Sequence, residues 1–261
     1  MFKSLNTAAT GMKAQQTNMD TIANNLANVS TTGFKKARAE FEDLMYNTLK
    51  EPGSSTGANS ISPTGVQVGH GVKLGAIQKD FGQGQSNVTR APFDVEIQGP
   101  GFFAIEANNG QIAYTRDGAF KRGPDGRLVD RNGNLLQPEI TIPPDASAVE
   151  INPNGLVQVI LGVDSTPINI GQIELANFIN PAGLKNIGGN LFVPTPSSGL
   201  PQQGQPGQSN YGSLAQGQLE TSNVNIVDEM VNMISAQRSY ETNSKVIQAA
   251  DQMLQYVNGL R

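Results

Sequence analysis

The two ends of the chain carry the same spacing of mainly apolar residues, and this feature constrains the fold most strongly. Near the N-terminus the stripe comprises Phe2, Leu5, Ala9, Met12, Gln16, Met19, Ala23 and Leu26. Near the C-terminus it comprises Ile226, Met230, Met233, Gln237, Tyr240, Ser244, Ile247 and Leu254. Steps of three and four residues place side chains on one face of a helix. The spacing therefore predicts long helices over 4–28 and 223–258, the second capped by Thr221, Ser222 or Asn223.

Both stripes are thin, because several of their positions hold Gln, Ser or Ala. An isolated pair of such helices buries little apolar area, and at about 25 cal/mol per Å² that burial leaves the pair marginally stable. One interpretation packs the helices on the chain's own core, whereas the other pairs them as a coiled coil that contacts further copies. The length of the second helix favours the coiled coil. Its predicted packing residues are Leu5, Met12, Met19, Leu26, Met230, Met233, Ile247 and Leu254.

The middle of the chain has a strand pattern interrupted by closely spaced turns. Phe93, Val95 and Ile97 alternate with polar residues. The turn dipeptides that follow are Asn109-Gly110, Asp117-Gly118, Asp125-Gly126, Asn132-Gly133 and Asn154-Gly155. Such dipeptides favour the positive φ angles of tight hairpins. The pattern therefore predicts an antiparallel all-β domain over 91–196.

Two irregular stretches, 51–71 and 199–216, flank the predicted β domain. Their Gly, Pro, Ser and Gln content is typical of loops or extended linkers. The predicted fold class is α+β, with paired long terminal helices that resemble a coiled coil, an inserted antiparallel all-β domain, and β-rich linkers. The predicted domains are a helical domain (1–30 and 220–261), a connecting domain (31–90 and 197–219, with a loop at 46–71) and the β domain (91–196).

The composition disfavours several classes of function. The net charge is -4 without a cluster of Lys and Arg, so nucleic acid is not an expected partner. No apolar run is long enough to cross a bilayer, and 1–28 lacks the apolar block of a secretory signal. With no Cys and a single histidine, His70, thiolate sites and multi-His metal sites are excluded. We therefore expect no cofactor, no metal and no membrane insertion.

Candidate catalytic motifs are weak. His70 lies between glycines, without a nearby nucleophile or acid pattern. Asp125, Asp130, Asn132 and Asn134 lack the Glu that closes a calcium-binding EF-hand loop. Asp94, Glu96 and Glu106 alternate along predicted strands, which is typical of a solvated face rather than of a general acid and base. No catalytic residues are predicted, and the chain is not expected to be an enzyme.

Three longer motifs are much more specific. The first, 23–36, reads ANNLANVSTTGFKK, and its distinctive residues are Asn24, Asn25, Leu26, Asn28, Gly33 and Phe34. The second contains Gly99, Gly101, Phe102 and Phe103 and is followed by YTRDGAF at 114–120. The third begins with ETSNVN at 220–225, which contains Asn223 and Asn225, and continues through Gln237, Arg238 and Tyr240. In order and spacing, these motifs resemble those of the flagellar rod and hook proteins, the axial proteins of the bacterial flagellum.

The resemblance runs from one end of the chain to the other and implies a structural subunit of a tube. The terminal helices would form the inner wall, short β segments a middle layer, and the β domain the outer surface. The stretch 46–71 resembles the loop that sets distal rod subunits apart from proximal rod and hook subunits. The implied function is a subunit of the distal rod, a rigid drive shaft, and a hook or proximal rod subunit is the alternative.

The resemblance also implies partners and a location. Copies would form a helical homopolymer in the basal body, where the rod spans the periplasm. Further partners would be the proximal rod and hook proteins, the P-ring and L-ring proteins, and a rod cap during growth. The subunit would leave the cell through the flagellar type III export apparatus, without a cleavable signal peptide.

One stretch of the 46–71 loop has a predicted mechanical role. Residues 51–63 lie between the helical stripe and the β domain, and the stretch is marked near its ends by Pro52, Gly53, Ser62 and Pro63. Proline restricts the backbone at both anchors, while the length allows contact with a neighbouring copy. We expect this stretch to act as a strap that stiffens the tube, and the alternative is a disordered surface loop. Residues 199–209 match no feature of the family.

Overall fold

A computed structural model describes residues 2–53, 55–57, 60–61, 63–107, 110–162 and 166–259. Helix α1 spans Phe2–Ala27 and helix α2 spans Ile226–Gly259, close to the predicted ranges. The chain forms two compact units. The helix unit comprises Met1–Leu26, Ala37–Gln78 and Asn225–Arg261, and the β unit comprises Ala27–Lys36 and Lys79–Val224. The fold is α+β, while the predicted division into three domains stays a prediction.

The strands of the helix unit form short two-stranded ribbons. They are β1 (Ala37–Asp43), β2 (Tyr46–Lys50), β3 (Ser55–Gly57), β4 (Ser60–Ile61), β5 (Val66–Gly69) and β6 (Val72–Lys79). β1 pairs with β6, and the antiparallel pairs β2–β5 and β3–β4 lie between them along the chain. The stretch 51–71, interpreted from its composition as a loop or an extended linker, contains the short strands β3, β4 and β5. Ser62 lies outside the described residues.

The inward face of each helix differs from the predicted stripe. On α1 the buried residues are Ala8, Ala14, Thr21, Ile22 and Asn25, whereas Ala9, Gln16 and Ala23 are exposed. On α2 the buried residues are Glu229, Ala236 and Ala250, whereas Ile226, Met230 and Gln237 are exposed. Leu5, Met12, Met19, Leu26, Met233, Ile247 and Leu254 are half-buried, as a position beside the inward face requires. The most buried side chains of the helices are therefore mostly small or polar, and they lie at positions outside the predicted stripes.

Two contacts between described residues join the helices within the helix unit. The side-chain amide of Asn25 donates a hydrogen bond of 3.3 Å to Glu229 Oε2. A methyl group added at Gly11 would lie 3.0 Å from Asn243 Nδ2. Because the first contact joins the end of α1 to the start of α2, and the second lies further from both, the helices run in opposite directions. Coiled-coil packing between them stays a prediction. No helix in the described part of the chain is long and apolar enough to cross a membrane.

The β unit contains sixteen further strands within the described residues. They are β7 (Ser86–Val88), β8 (Val95–Gln98), β9 (Phe102–Glu106), β10 (Ile112–Thr115), β11 (Lys121–Arg122), β12 (Leu128–Val129), β13 (Leu135–Gln137), β14 (Ala146–Ile151), β15 (Leu156–Leu161), β16 (Ile168–Gln172), β17 (Leu175–Asn177), β18 (Lys185–Gly188), β19 (Leu191–Val193), β20 (Gln202–Gly204), β21 (Ser213–Gln216) and β22 (Gln218–Glu220). A short 3-10 helix at Pro181–Gly183 separates β17 from β18.

These strands form one large sheet, one small sheet and two ribbons. The large sheet has the order β11-β12-β13-β9-β10-β19-β18, with β17 paired to β9 and β20 paired to β17. The small sheet is β14-β15-β16, and the ribbons are β21–β8 and β22–β7. The main core contains apolar side chains from all of these parts except the β22–β7 ribbon, including Ile97, Phe103, Leu136, Val157 and Leu214. Residues 199–216, interpreted as a loop or an extended linker, contribute β20 and β21 to this unit.

Candidate functional site at the motif junction

Parts of all three sequence motifs meet inside the β unit. We call this place the motif junction; it comprises 33–36, 80–84, 99–102, Arg116 and 220–223. Its centre is the carboxylate of Glu220, whose side chain is 1% exposed. Lys35 Nζ lies 2.5 Å from Glu220 Oε1, and Arg116 Nε lies 3.1 Å from Glu220 Oε2. One buried carboxylate thus pairs with a cation from the first motif and a cation from the second.

Backbone groups complete the surroundings of the three charges. Lys35 Nζ donates to the carbonyl oxygen of Gly82 at 2.8 Å, and the amide of Gly84 donates to Glu220 Oε1 at 2.8 Å. A methyl group at Gly84 would lie 2.0 Å from the carbonyl oxygen of Thr221, so only glycine fits there. Close approach of the backbone therefore holds the cluster together in addition to the ion pairs. Both are needed because a buried ion without partners is very costly.

The Gly99–Gly101 turn of the second motif is built around Arg116. Arg116 Nη1 donates to the carbonyl oxygens of Gly99 and Gly101, both at 2.7 Å. Both glycines have φ angles in the region that other residues rarely adopt, +114° and +137°. The guanidinium carbon lies 5.9 Å from the ring centre of Phe102. In this conformation the turn directs two backbone carbonyl groups toward the buried guanidinium of Arg116.

Burial and charge act together on the two cations. Burial lowers the pKa of Lys35, the positive charge of Arg116 lowers it further, and Glu220 opposes both effects. Burial also lowers the pKa of Arg116, while Glu220 and Glu96 oppose this change. The two cations therefore repel each other in a poorly solvated place, and Glu220 is the group that compensates both.

Glu96 differs from its predicted setting. Its side chain is buried, and it accepts hydrogen bonds from Ser86 Oγ and from Gln83 Nε2. The prediction of a solvated face was wrong because β8 is covered on both sides, so alternation along the strand does not separate core from solvent. Glu96 contributes a second negative charge near Arg116.

Gly33 and Asn223 join the first motif to the third. The amide of Gly33 donates to the backbone carbonyl of Glu220 at 2.8 Å, and its φ angle is +66°. A methyl group at Gly33 would lie 2.7 Å from the amide nitrogen of Asp117. Asn223 accepts the amide of Lys36 at 2.8 Å and donates to the carbonyl oxygens of Asp80 and Gly82. A single amide side chain therefore ties three chain segments together.

The other motif residues lie elsewhere. In the helix unit, the amide of Asn25 exchanges two hydrogen bonds with the peptide groups of Ala37, at 2.8 and 2.9 Å. The cap of α2 is Asn225, which accepts the amide of Val227 at 3.1 Å. The predicted caps Thr221, Ser222 and Asn223 all precede it in the β unit.

The remaining predicted residues divide between core, surface and turn. Phe34, Phe102 and Phe103 are buried. Asn24, Gln237, Arg238 and Tyr240 are on the exposed side of their helices. Asn28 accepts a hydrogen bond from Thr31 Oγ1 at 3.2 Å in the turn after α1. The three motifs therefore combine a buried junction with helix surfaces, and only the junction could be assigned a role within one chain.

The junction has the chemistry of a structural clamp. Its carboxylate forms ion pairs with the Lys35 ammonium and the Arg116 guanidinium, and all three groups also bond to the backbone. Among the described residues, no group of three or more His, Cys, Asp or Glu is placed to hold a metal ion. The sequence did not predict Lys35, Arg116 and Glu220 as a site although each lies within a motif, because nothing in one sequence indicates which charges pair.

Comparisons with known proteins agree with the motifs. Family models match residues 5–35 (flagella basal body rod protein), 96–159 (flagellar hook protein FlgE/F/G D1 domain) and 215–260 (flagellar basal body rod FlgEFG protein C-terminal). Relatives called flagellar basal-body rod protein FlgG include one from Borreliella burgdorferi, 50% identical over 100% of this chain and 99% of that protein. The relative from Caulobacter vibrioides is 48% identical over 100% of both chains. The relative from Buchnera aphidicola subsp. Baizongia pistaciae is also 48% identical, over 98% of both chains. These are names of structural flagellar proteins rather than enzymes, and the chain belongs to the family of flagellar basal-body rod proteins FlgG.

Proposed function

We propose that copies of this chain polymerise through their terminal helices into the distal rod, a rigid shaft that transmits torque from the motor to the hook. The observation that carries the proposal is the outer surface of α2. Met230, Val231 and Ile234 are 53%, 60% and 51% exposed, and Val227, Val246, Met253 and Tyr256 are exposed as well. Contiguous exposed apolar side chains mark surfaces that another molecule covers. In a homopolymer that molecule is a second copy of the same chain.

A groove beside this surface supports packing between copies. It has a volume of about 530 Å³, and its lining residues are Val231, Ile234, Ser235, Arg238, Ser239, Thr242 and Asn243. The apolar pair at its start favours insertion of apolar side chains, while Arg238 and the hydroxyl groups favour hydrogen bonds. Mixed contacts of this kind, repeated along a helical lattice, suit a tube that must resist torque.

The two helices of one chain would form an antiparallel coiled-coil pair in the inner wall. The contacts of Asn25 with Glu229 and of Gly11 with Asn243 support the pairing. The half-buried positions Leu5, Met12, Met19, Leu26, Met233, Ile247 and Leu254 would complete packing inside the pair. Met230, which is exposed, would instead pack against a neighbouring copy.

We propose the same three layers of the tube that the resemblance to the family implies. The helical domain (1–30 and 220–261) would line the inside, the connecting domain (31–90 and 197–219) would lie in the middle, and the β domain (91–196) would face outwards. The rod would span the periplasm after export by the flagellar type III apparatus without a cleaved signal. Its partners would be proximal rod proteins, the hook protein, the P-ring and L-ring proteins and a rod cap, without nucleic acid or membrane insertion.

Two aspartates on the outer surface of α2 test the polymer proposal. In the double variant Val231→Asp, Ile234→Asp, each subunit contact would bury two carboxylates in an apolar setting. We expect sedimentable assemblies to disappear while the monomer keeps its circular dichroism spectrum, because both side chains are already exposed in one chain. The variant Val231→Ile, Ile234→Val, which keeps the surface apolar, should assemble. Normal assembly of the aspartate variant would contradict the proposal.

We further propose that residues 51–63 stiffen the tube. The β2–β5 ribbon supports this role, since it projects exposed apolar side chains, Leu49 and Val66, next to that segment. Such side chains would grip a neighbouring copy and resist the sliding that bending requires. Pro52 and Pro63 would restrain the ends of the segment, and Gly53 permits a turn at φ +83°.

Deleting 53–62 should leave polymerisation intact but give tubes that curve. The deletion removes the tip of the hairpin and keeps the β2–β5 ladder in place. Curvature measured from electron micrographs is the readout. The variant Leu49→Ser, Val66→Ser, which retains the full length, should show the same change to a smaller degree. Tubes as straight and stiff as those of the unaltered chain would refute the strap.

A further inference from the structure

A segment late in the chain completes the core of the β unit. We call 212–223 the closing segment; it contains β21 and β22. Among the described strands, β8 is paired along its ladder only by β21. Val95 and Ile97 of β8 are each 1% exposed and belong to the main core. Without the closing segment, a strand in the centre of the unit would have unpaired peptide groups, which buried backbone does not tolerate.

Leu214 and Gln216 of the closing segment contact the main core and the small sheet of the β unit. Leu214 is buried in the main core, and its amide donates to the carbonyl oxygen of Pro153 at 3.0 Å. The amide side chain of Gln216 donates to the carbonyl oxygens of Pro92 and Val149 and accepts the amide of Ile151. The closing segment therefore ties the small sheet to β8.

Glu220 then determines whether the first motif can dock. The side chains of Lys35 and Arg116 are buried cations that both contact the Glu220 carboxylate. The positive charge of Arg116 lowers the pKa of Lys35. Arg116 has contacts that do not involve the closing segment, namely the carbonyl oxygens of Gly99 and Gly101. Lys35 has one other strong bond, to the carbonyl oxygen of Gly82. Bringing Lys35 to this place before Glu220 arrives would bury two like charges close together.

We infer that the β unit closes in a fixed order, in which the closing segment docks first and the N-terminal segment 27–36 docks on it afterwards. Glu220 is the positioning residue that couples the two steps. Any process that delivers the chain from its N-terminus would leave 27–36 undocked until residue 220 has emerged. The first motif therefore docks only after the closing segment, and the β unit is completed only when the chain is present through residue 223. This inference holds whether or not the chain forms a rod.

Amide hydrogen exchange of the full chain tests the order, because the structure supplies a reporter for each step. The amides of Gly33 and Lys36 bond to Glu220 and to Asn223, so they report docking of the N-terminal segment. The amides of Leu214 and Thr221 bond to Pro153 and to Gln85, so they report docking of the closing segment. Exchange of each amide follows the population of the locally open state.

Lys35→Met keeps the aliphatic volume of the side chain but removes its charge. We expect Leu214 and Thr221 to remain as protected as in the unaltered chain, because Glu220 still pairs with Arg116. Glu220→Gln should accelerate exchange at Gly33 and Lys36 about 100-fold or more, since it leaves a buried lysine without its counter-ion. If Lys35→Met reduced the protection of Leu214 and Thr221 as much as that of Gly33 and Lys36, the order would be overturned.

The double variant Lys35→Met, Glu220→Gln keeps the test decisive if Glu220→Gln opens the whole unit. Removing the unpaired lysine charge should restore protection at Gly33 and Lys36 about tenfold relative to Glu220→Gln. Lys73→Met, which removes an exposed ion pair with Glu42 in the helix unit, serves as the matched control and should leave exchange at all four reporter amides unchanged. Exchange at Gly33 and Lys36 that is unaffected by Glu220→Gln, or not restored in the double variant, would refute the coupling.

Discussion

Gly118→Ala should destabilise the β unit by about 3 kcal/mol, because the added methyl group has no space. It would lie 1.7 Å from the carbonyl oxygen of Val95 and 2.8 Å from the carbonyl carbon. The amide of Val95 donates to the carbonyl of Gly118 at 3.0 Å, so the two backbones cannot separate without breaking that bond. Val95 is a core residue of β8, and its displacement would disturb the main core.

The effect can be measured by thermal unfolding of the purified chain. For a unit of this size, the loss corresponds to a fall in Tm of roughly 10 °C. Gly123→Ala is the matched control, since its methyl group would meet the nearest atom, the carbonyl oxygen of Arg127, at 3.3 Å. We expect that variant to unfold within a few degrees of the unaltered chain. A Gly118→Ala variant as stable as the control would show that the approach of the two backbones is misplaced.

Aspartate at Met233 or at Leu26 should abolish assembly. Both side chains are half-buried beside the inward face of their helices. A carboxylate there would lose its hydration when the helices pack, which costs several kcal/mol for an unpaired charge. We expect no tubes by electron microscopy and no swimming in cells that depend on the variant. The β unit should keep its thermal transition, because these residues belong to the helix unit.

Two further variants separate the loss of packing from the added charge. Met233→Leu keeps the apolar volume and should assemble normally. Gln248→Glu adds a negative charge at an exposed position of the same helix and should also assemble, unless neighbouring copies cover that position. Normal tubes and swimming with either Met233→Asp or Leu26→Asp would mean that the packing face has been misassigned.

The turn dipeptides show how far local rules reach. Gly110, Gly126, Gly133 and Gly155 have the positive φ angles that the Asn-Gly and Asp-Gly rule predicts. Gly118 follows Asp117 in the same way, yet its φ angle is not positive. A glycine is required at this position because a side chain would have no space beside Val95. The turn rule concerns one residue's own backbone, so it cannot detect a constraint imposed by a strand more than twenty residues away in sequence.

Helix ends were predictable and helix faces were less so. Apolar spacing placed α1 and α2 within about three residues of their observed ends. The inward faces instead use Ala8, Ala236 and Ala250, together with the polar Asn25 and Glu229. Small residues permit close approach only where a partner is present, so their burial depends on the partner rather than on their own hydrophobicity.

The motif junction could not be predicted from the sequence, for a related reason. Lys35 and Glu220 are 185 residues apart, and each resembles an ordinary surface charge in sequence. Only the fold brings them together with Arg116 and excludes water from all three. The motifs could be recognised as unusual, whereas their meeting at a single carboxylate follows from how β8, β21 and β22 pair.

Electron cryomicroscopy of tubes assembled from the purified chain tests the central claim most directly. That claim is that the chain is a structural subunit whose terminal helices pack copies into a shaft. The map should show straight tubes with α1 and α2 innermost, exposed apolar residues of α2 such as Val231 and Ile234 against a neighbouring copy, and the β unit outside. Tubes with the β units lining the lumen and the helices facing solvent, or a chain that stays monomeric under all assembly conditions, would contradict it.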